Sequence, residues 1–182
     1  MQFLLKATIT EDDYLNFNIF HNIESSQAKK AIFKHHIIFI ACMAVIIATF
    51  LIVLGFTAYS VACTTLMALL AALYLIFFNK MIKQNIRKTI QKFRKDGKYP
   101  FDEQTTSEFY DDKFVDFTPT RRTELGYSEV KKVCILGDRY IILYTTDLTA
   151  NILPSAQIRD QINYDDFLRF LCTKCSTVEN YD

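Results

Sequence analysis

A run of 43 consecutive residues without Asp, Glu, Lys, Arg or His, from Ile37 to Asn79, constrains this chain more than any other feature. A helix needs roughly 20 apolar residues to cross a bilayer core about 30 Å thick, so the run is long enough for two crossings. One long buried helix in a soluble protein is the less favoured alternative, because the run is apolar on every face. We predict membrane-spanning helices at about 37–54 and 61–78, joined by a short turn that contains Gly55.

Positive charge flanks this run on both sides, while the turn between the two crossings carries no charge. Three lysines precede the run within residues 29–34, and eight Lys or Arg residues follow it within 80–98. Because cytoplasmic flanks are enriched in Lys and Arg, we expect both termini in the cytoplasm and the turn outside. A cleaved signal peptide is disfavoured, since 36 residues precede the run.

The bases after the second crossing are candidates for contact with the membrane surface. They lie on a helix whose apolar stripe extends to about Asp96–Gly97. Anionic headgroups attract each nearby Lys or Arg by about 1 kcal/mol. We therefore expect contact from Lys80, Lys83, Arg87 and Lys88. The bases farther along the helix lie more than a Debye length from the membrane surface. A solvent-exposed helix face whose charge only determines the membrane topology explains these bases equally well.

Neither membrane-spanning helix contains an ionisable residue, which argues against a transport function for this chain. The residues of these helices indicate packing between helices instead. Small residues recur at helical spacing in both, at Ala44 and Ala48 and at Ala68 and Ala72. Such residues allow close approach, either of the two hairpin helices to each other or of the hairpin to a second copy or a partner subunit.

The residues outside the crossings predict a small α+β domain. Residues 2–9 alternate at the strand period, and Thr10 before three acids predicts a helix start. From residue 99 onward, short strands alternate with turns and end in an amphipathic helix capped by Asn163, with Cys172 in its buried stripe. This pattern is typical of an antiparallel sheet closed by one helix, and we expect the N-terminal strand to complete it.

The predicted organisation has five parts. They are a strand and helix over 1–36, the transmembrane hairpin over 37–79, a basic juxtamembrane helix over 80–98, a β-domain with its final helix over 99–175, and a flexible tail over 176–182. The last predicted strand of the domain covers 148–153. The fold class is therefore a membrane α+β protein.

The order of these parts resembles the YcxB-like family of bacterial membrane proteins. The motifs that carry the resemblance are TEDDYL at 10–15, YSEV at 127–130, RYIILYTT at 139–146 and ILP at 152–154. The resemblance implies an inner-membrane location and a cytoplasmic domain similar to a pleckstrin-homology-like (PH-like) half-barrel closed by the C-terminal helix. Tyr127 and Pro154 are the candidate partner-binding residues of these motifs, and Ser155 stands where the family has lysine.

No catalytic, cofactor or metal-binding pattern accompanies these features. Cys172 and Cys175 form a lone C-x-x-C without two further ligands nearby in sequence, and we interpret them as core or inert thiols. His35 and His36, at the membrane boundary, are interpreted as interfacial residues. Four glycines cannot form a phosphate-binding loop. Residues 99–182 are acidic, which makes nucleic-acid binding unfavourable.

These observations predict a kind of function but no reaction. We expect a membrane-anchored interaction or regulatory module, not an enzyme, with a protein partner or a second copy as its ligand. The acidic domain would favour basic partner surfaces. The alternative is a membrane-resident immunity protein whose hairpin blocks a membrane-directed toxin, suggested by the uncharged turn and the small-residue faces.

Overall fold

The computed structural model describes residues 1–97, 99–146 and 149–181, which form two compact units. The first, here called the β-domain, combines residues 1–14 with the described residues from 99 onward. The second, here called the hairpin unit, comprises residues 15–97. The N-terminal strand therefore belongs with the C-terminal domain, although the whole hairpin unit separates the two in sequence.

The hairpin unit is built from helices whose ends are defined by local capping. After α1 (Glu11–Ile19) and a π-helical turn (Phe20–Glu24), α2 covers Ser26–Leu54 and α3 covers Ala58–Asp96. Ser25 Oγ accepts a hydrogen bond from the Ala28 amide at 3.1 Å, and α3 ends at Gly97 with φ of 62°. The predicted end at Asp96–Gly97 is confirmed.

Both α2 and α3 are long and apolar enough to cross a membrane. No residue in the most apolar stretch of either helix is buried. A long helix in the core of a soluble protein would instead be mostly buried. Since α3 has 39 residues, it is about 58 Å long at a rise of about 1.5 Å per residue, which exceeds the thickness of a bilayer core.

Aromatic side chains pack α2 against α3 near the charged end of the hairpin. The Tyr74 ring lies 4.7 Å from the Phe39 ring, and the Tyr74 hydroxyl hydrogen-bonds His35 Nε2 at 3.1 Å. The Phe78 ring lies 4.8 Å from the His35 ring and 5.1 Å from the His36 ring. Offset and edge-on ring pairs of this kind stabilise the contact beyond the area that they bury.

The four alanines at helical spacing do not take part in this packing. All of them are exposed: Ala44, Ala48, Ala68 and Ala72. Larger residues such as Met43, Ile47 and Met67 are half-buried instead. The explanation that these alanines pack the two hairpin helices against each other is therefore wrong, because their faces point away from the hairpin's own interface.

The described part of the β-domain forms two open four-stranded sheets, two short α-helices and a 3-10 turn at Tyr127–Glu129, an α+β arrangement as predicted. The first sheet has the order β1 (Phe3–Thr8), β2 (Gln104–Phe109), β3 (Lys113–Phe117), β4 (Arg122–Gly126). The second has the order β7 (Ala150–Pro154), β6 (Tyr140–Tyr144), β5 (Lys132–Leu136), β8 (Val178–Tyr181). The helices are α4 (Ser155–Arg159) and α5 (Tyr164–Lys174). All strand pairs are antiparallel except β5 with β8.

β1 completes the first sheet, which confirms the prediction for the N-terminal strand. It pairs with β2 so that Leu5 faces Ser107 and Thr8 faces Gln104. Leu5 and Ala7 are buried on the inner face of the sheet. The chain leaves β1, runs through the whole hairpin unit and returns as β2, so the hairpin unit is an insertion between two neighbouring strands.

The final helix closes the apolar interior of the β-domain. Asn163 Oδ1 accepts a hydrogen bond from the Asp165 amide at 3.1 Å, which confirms the predicted cap. Phe167 is fully buried, with its ring 4.9 Å from that of Phe109 and 5.3 Å from that of Phe3. The helix therefore packs on two neighbouring strands, β1 and β2, that the whole hairpin unit separates in sequence.

Two predictions for the C-terminal region are wrong. Cys172 is exposed rather than buried, because it lies about 140° around an ideal helix from Phe167. The predicted flexible tail over 176–182 contains β8, in which Val178 pairs with Val133 of β5. A four-residue strand with a distant partner has little sequence signal of its own. Leu148, which begins the strand predicted over 148–153, lies outside the described residues, as do Lys98 and Asp182.

Candidate functional site

The bases of the hairpin unit gather at one end, where α2 begins and α3 ends. Four of them follow the apolar part of α3: Lys80, Lys83, Arg87 and Lys88. Lys80 Nζ is 5.8 Å from the centroid of the Phe77 ring, and Lys83 Nζ is 3.8 Å from Glu24 Oε1. The opposite end, around Gly55, is uncharged. The charge of the hairpin is therefore polarised along its length.

The position of each base along α3 decides which of them a membrane surface could attract. Taking Lys80 as the first base beyond the apolar part, Lys83 lies about 5 Å farther along the axis and Arg87 about 10 Å. Lys92 and Lys95 lie about 18 and 22 Å beyond Lys80. The Debye length is about 8 Å at physiological ionic strength. A surface level with Lys80 would therefore attract the first bases and act weakly on the last ones.

The aromatic cluster of the hairpin stands directly beside these bases. Phe78 comes two residues before Lys80, and His35 follows Lys34. Aromatic residues favour the interface between membrane and water, where an apolar ring meets a polar environment. Nε2 of His36 is buried without a hydrogen-bond partner among the described residues. This arrangement agrees with the interpretation of both histidines as interfacial residues.

The structure places both candidate partner-binding side chains in the core of the β-domain. Tyr127 is 5% exposed, donates its hydroxyl to the Tyr110 carbonyl oxygen at 2.8 Å and packs edge-on against Phe170 at 5.6 Å. Burial raises the pKa of Tyr127 above its usual range. Pro154 is buried at the end of β7, opposite Tyr140. A partner could reach the surface around these residues but not the side chains themselves.

A polar cluster that the sequence did not reveal joins the two sheets. Ser107 Oγ donates to Asp116 Oδ1 at 2.7 Å, and Asn151 Nδ2 donates to the same oxygen at 3.0 Å. Ser107 and Asp116 belong to the first sheet, whereas Asn151 belongs to the second. Burial raises the pKa of the Asp116 carboxyl, although the hydrogen bonds from Ser107 and Asn151 oppose that shift. One signal could have found the cluster: Asp116 lies two residues after Phe114 and shares its inward face.

The thiols of the β-domain are mostly protected from reaction. All five cysteines of the chain are free, and Cys134 and Cys175 are buried. Burial raises the pKa of Cys134 to about 12 and that of Cys175 to about 11, so their thiolate forms are scarce at neutral pH. Cys172 is exposed. Within the described residues, no three His, Cys, Asp or Glu side chains lie close enough together to hold a metal ion.

Comparisons with known proteins add no relative to these observations. No family model matches the chain, and no curated protein or solved structure is significantly similar to it. Function must therefore be inferred from the two units themselves. The features that bear on it are the polarised apolar hairpin and the way in which the β-domain is attached to it in sequence.

Proposed function

We propose that this chain is a two-pass protein of the bacterial inner membrane whose β-domain is a cytoplasmic, non-catalytic module that binds or regulates another protein. The polarised hairpin carries this proposal. Its two apolar helices have no buried residue in their most apolar stretches, and its bases gather at one end only. The positive-inside rule assigns that end, together with both termini, to the cytoplasm.

Lipid contact at the basic end would fix the cytoplasmic end of the hairpin at the membrane surface. Lys80 and Lys83 directly follow the apolar part of α3, and Arg87 and Lys88 come within about one and a half further turns. Each is attracted to anionic headgroups by about 1 kcal/mol when close to them. The β-domain has more acids than bases, so an anionic membrane surface would repel it and leave it open to partners.

The PH-like half-barrel and the YcxB-like family are part of the proposal. The support is the order of parts along the chain: a strand, a hairpin of two apolar helices, further strands and the helix α5. In the β-domain, α5 packs its buried Phe167 against β1 and β2, as the closing helix of a half-barrel would. A fold of this kind hosts many functions, so the interaction role rests on the membrane arrangement and not on the fold.

The topology can be tested by cysteine labelling in spheroplasts. We expect a membrane-impermeant maleimide to label Phe56→Cys, because Phe56 lies at the hairpin turn and is 85% exposed. Cys172, exposed in the β-domain, should be labelled only after lysis. Cys42 and Cys63 lie within the apolar helices, and Cys134 and Cys175 are buried, so these four should stay unlabelled.

The matched control is Phe56→Cys combined with Cys172→Ala. It should keep the full signal in intact spheroplasts and lose the additional signal that lysis produces. Labelling of Cys172 before lysis, with Phe56→Cys protected, would show that the hairpin is inserted the other way and would refute the cytoplasmic module.

A second candidate function, toxin immunity through the hairpin, is favoured by one observation. The faces of Ala44, Ala48, Ala68 and Ala72 point away from the hairpin's own interface, where another apolar helix could approach closely. Co-purification from gently solubilised membranes separates the candidates. A cytosolic partner that is lost when residues 99–182 are removed supports the interaction module. A secreted or membrane-inserting partner that residues 15–97 retain alone supports immunity.

A further inference from the structure

Two glutamine side chains close the outer edge of β1. The Lys6 amide donates to Gln161 Oε1 at 2.8 Å, and Gln161 Nε2 donates to the Lys6 carbonyl oxygen at 2.7 Å. The Thr8 amide donates to Gln157 Oε1 at 2.8 Å, and Gln157 Nε2 donates to the Thr8 carbonyl oxygen at 2.9 Å. Each glutamine amide thus forms the pair of bonds that one residue of a neighbouring antiparallel strand would form.

The spacing of the two glutamines matches the spacing of the strand groups that they bind. Lys6 and Thr8 are two residues apart on β1, a separation of about 6.8 Å in a strand. Gln157 lies in α4, and Gln161 lies in the turn just after it, where its backbone amide donates to the Ile158 carbonyl oxygen at 3.0 Å. Residues four apart in a helical turn lie about 5–6 Å apart at Cβ. The helix α4 and the turn that follows it therefore imitate an added strand. We call this pair of side chains the glutamine clamp.

The glutamine clamp covers an edge that would otherwise accept another strand. β1 is the edge of the first sheet and pairs with β2 on one side only. Open edges pair readily with other chains, and proteins cover them to prevent it. All four clamp bonds are at exposed positions, so a docked strand could replace them with equivalent backbone bonds.

We propose that the edge of β1 is a docking site for an extended segment of a partner protein, closed here by the glutamine clamp, with an acidic residue of the partner opposite Lys6. This proposal rests on the proposed interaction role and specifies its partner. The exposed Lys6 lies in the clamped part of the edge. An opposite charge directly across from it stabilises the pairing.

Lys6 also disfavours pairing with a second copy in the register that is centred on this residue. Pairing β1 with the β1 of another copy about a two-fold axis at Lys6 places the two lysines opposite each other, which destabilises the pair. The β-domain as a whole is acidic and would repel an acidic residue of the partner. That repulsion is screened over about 8 Å at physiological salt, whereas a residue directly across from Lys6 lies only about 5 Å from it.

The test uses the full chain in detergent and follows hydrogen exchange of the Lys6 and Thr8 amides by NMR. The probe is a synthetic peptide of alternating Thr and Val with a central Glu, and the matched probe has Lys at the centre. In Gln157→Ala/Gln161→Ala, both amides should exchange fast, and the acidic peptide should slow them roughly tenfold or more. The lysine peptide should protect less. In the wild type the clamp competes with the peptide, so added protection of the two amides should require a higher concentration of the acidic peptide.

Charge reversal provides the decisive control. Lys6→Glu in the clamp-free chain should exchange the ranking of the two peptides. Equal protection by both peptides, or none by either, would overturn the docking site. Protection that appears without peptide and rises with protein concentration would assign the edge to a second copy instead.

If the double variant does not unfold cooperatively, Gln161→Ala alone frees Lys6 while Thr8 stays bound, and the same ranking of the two peptides is expected at Lys6. Cys172 labelling reports on the membrane topology independently, so failure of the topology and failure of the docking site can be told apart.

Discussion

Deletion of residues 1–10 is expected to unfold the β-domain, although these residues precede the rest of the domain by the whole hairpin unit. β1 buries Leu5 and Ala7, and Ile9 just after it is buried as well. The Phe3 ring packs against that of Phe167 at 5.3 Å. Burial of a Leu, Ile or Phe side chain contributes about 1.5–3 kcal/mol, so the strand supplies roughly 6 kcal/mol. Because whole domains are stable by only about 5–15 kcal/mol, this loss removes about two fifths of the stability or more, and the backbone pairing of β1 with β2 is lost in addition.

Two neighbouring residues of β1 give a finer test of the same prediction. Leu5 is 2% exposed and points into the core, whereas Leu4 is 36% exposed on the other face. Leu5→Ala should lower the free energy of unfolding by about 2–5 kcal/mol, while Leu4→Ala should change it by about 0.5 kcal/mol or less. Denaturant unfolding of the full chain, followed by near-ultraviolet circular dichroism, measures both. Equal thermal melts with and without residues 1–10 would contradict the role of β1.

The parts of this fold that the sequence predicts well are those determined by residues close to one another in sequence. The uncharged run from Ile37 to Asn79 is sufficient to predict two long apolar helices. Thr10, Ser25 and Asn163 each cap the helix that follows through their own side-chain oxygen. A cap needs only one suitable side chain and the next few amides, so its signal is local.

The parts that sequence could not predict depend on contacts between distant segments. β8 exists because Val178 reaches Val133, and the glutamine clamp joins residues 6 and 8 to residues 157 and 161. Asp116 gains its partners from two other strands. No spacing rule relates positions so far apart, because the turns and the hairpin that bring them together are set by the whole fold.

The candidate site residues also fall into two groups: those whose position the sequence predicts, and those whose burial depends on distant parts of the chain. The bases at Lys80 and Lys83 follow directly from the end of the uncharged run, and the structure places them at the charged end of the hairpin. The motifs suggest Tyr127 and Pro154 as partner-binding residues, but both lie in the core. An aromatic or proline residue within a motif serves packing as readily as binding, and burial cannot be read from one strand without its neighbours.

Replacing the hairpin unit with a short glycine-serine linker between Tyr14 and Tyr99 is expected to give a folded β-domain that stays in solution without detergent. β1 and β2 are antiparallel neighbours, so the two chain ends that the linker must join emerge side by side. The Ile9 amide donates to the Glu103 carbonyl oxygen at 2.8 Å, and the Tyr14 ring stacks on the Phe101 ring at 4.8 Å. A linker of about ten residues spans such a gap without strain.

The excised domain should unfold cooperatively in buffer without detergent and keep slow exchange at β6, whose residues are all buried. Asp13→Ala offers an internal check, because Asp13 Oδ1 accepts the Tyr140 hydroxyl at 2.8 Å and its loss leaves that hydroxyl without the carboxylate. We expect a cost of about 1–3 kcal/mol. Residues 99–182 alone, without residues 1–14, should fail to fold. If the linked domain also aggregates, the β-domain depends on the hairpin unit for its stability; if it folds, the hairpin unit is an insertion between two neighbouring strands of a domain that is stable by itself.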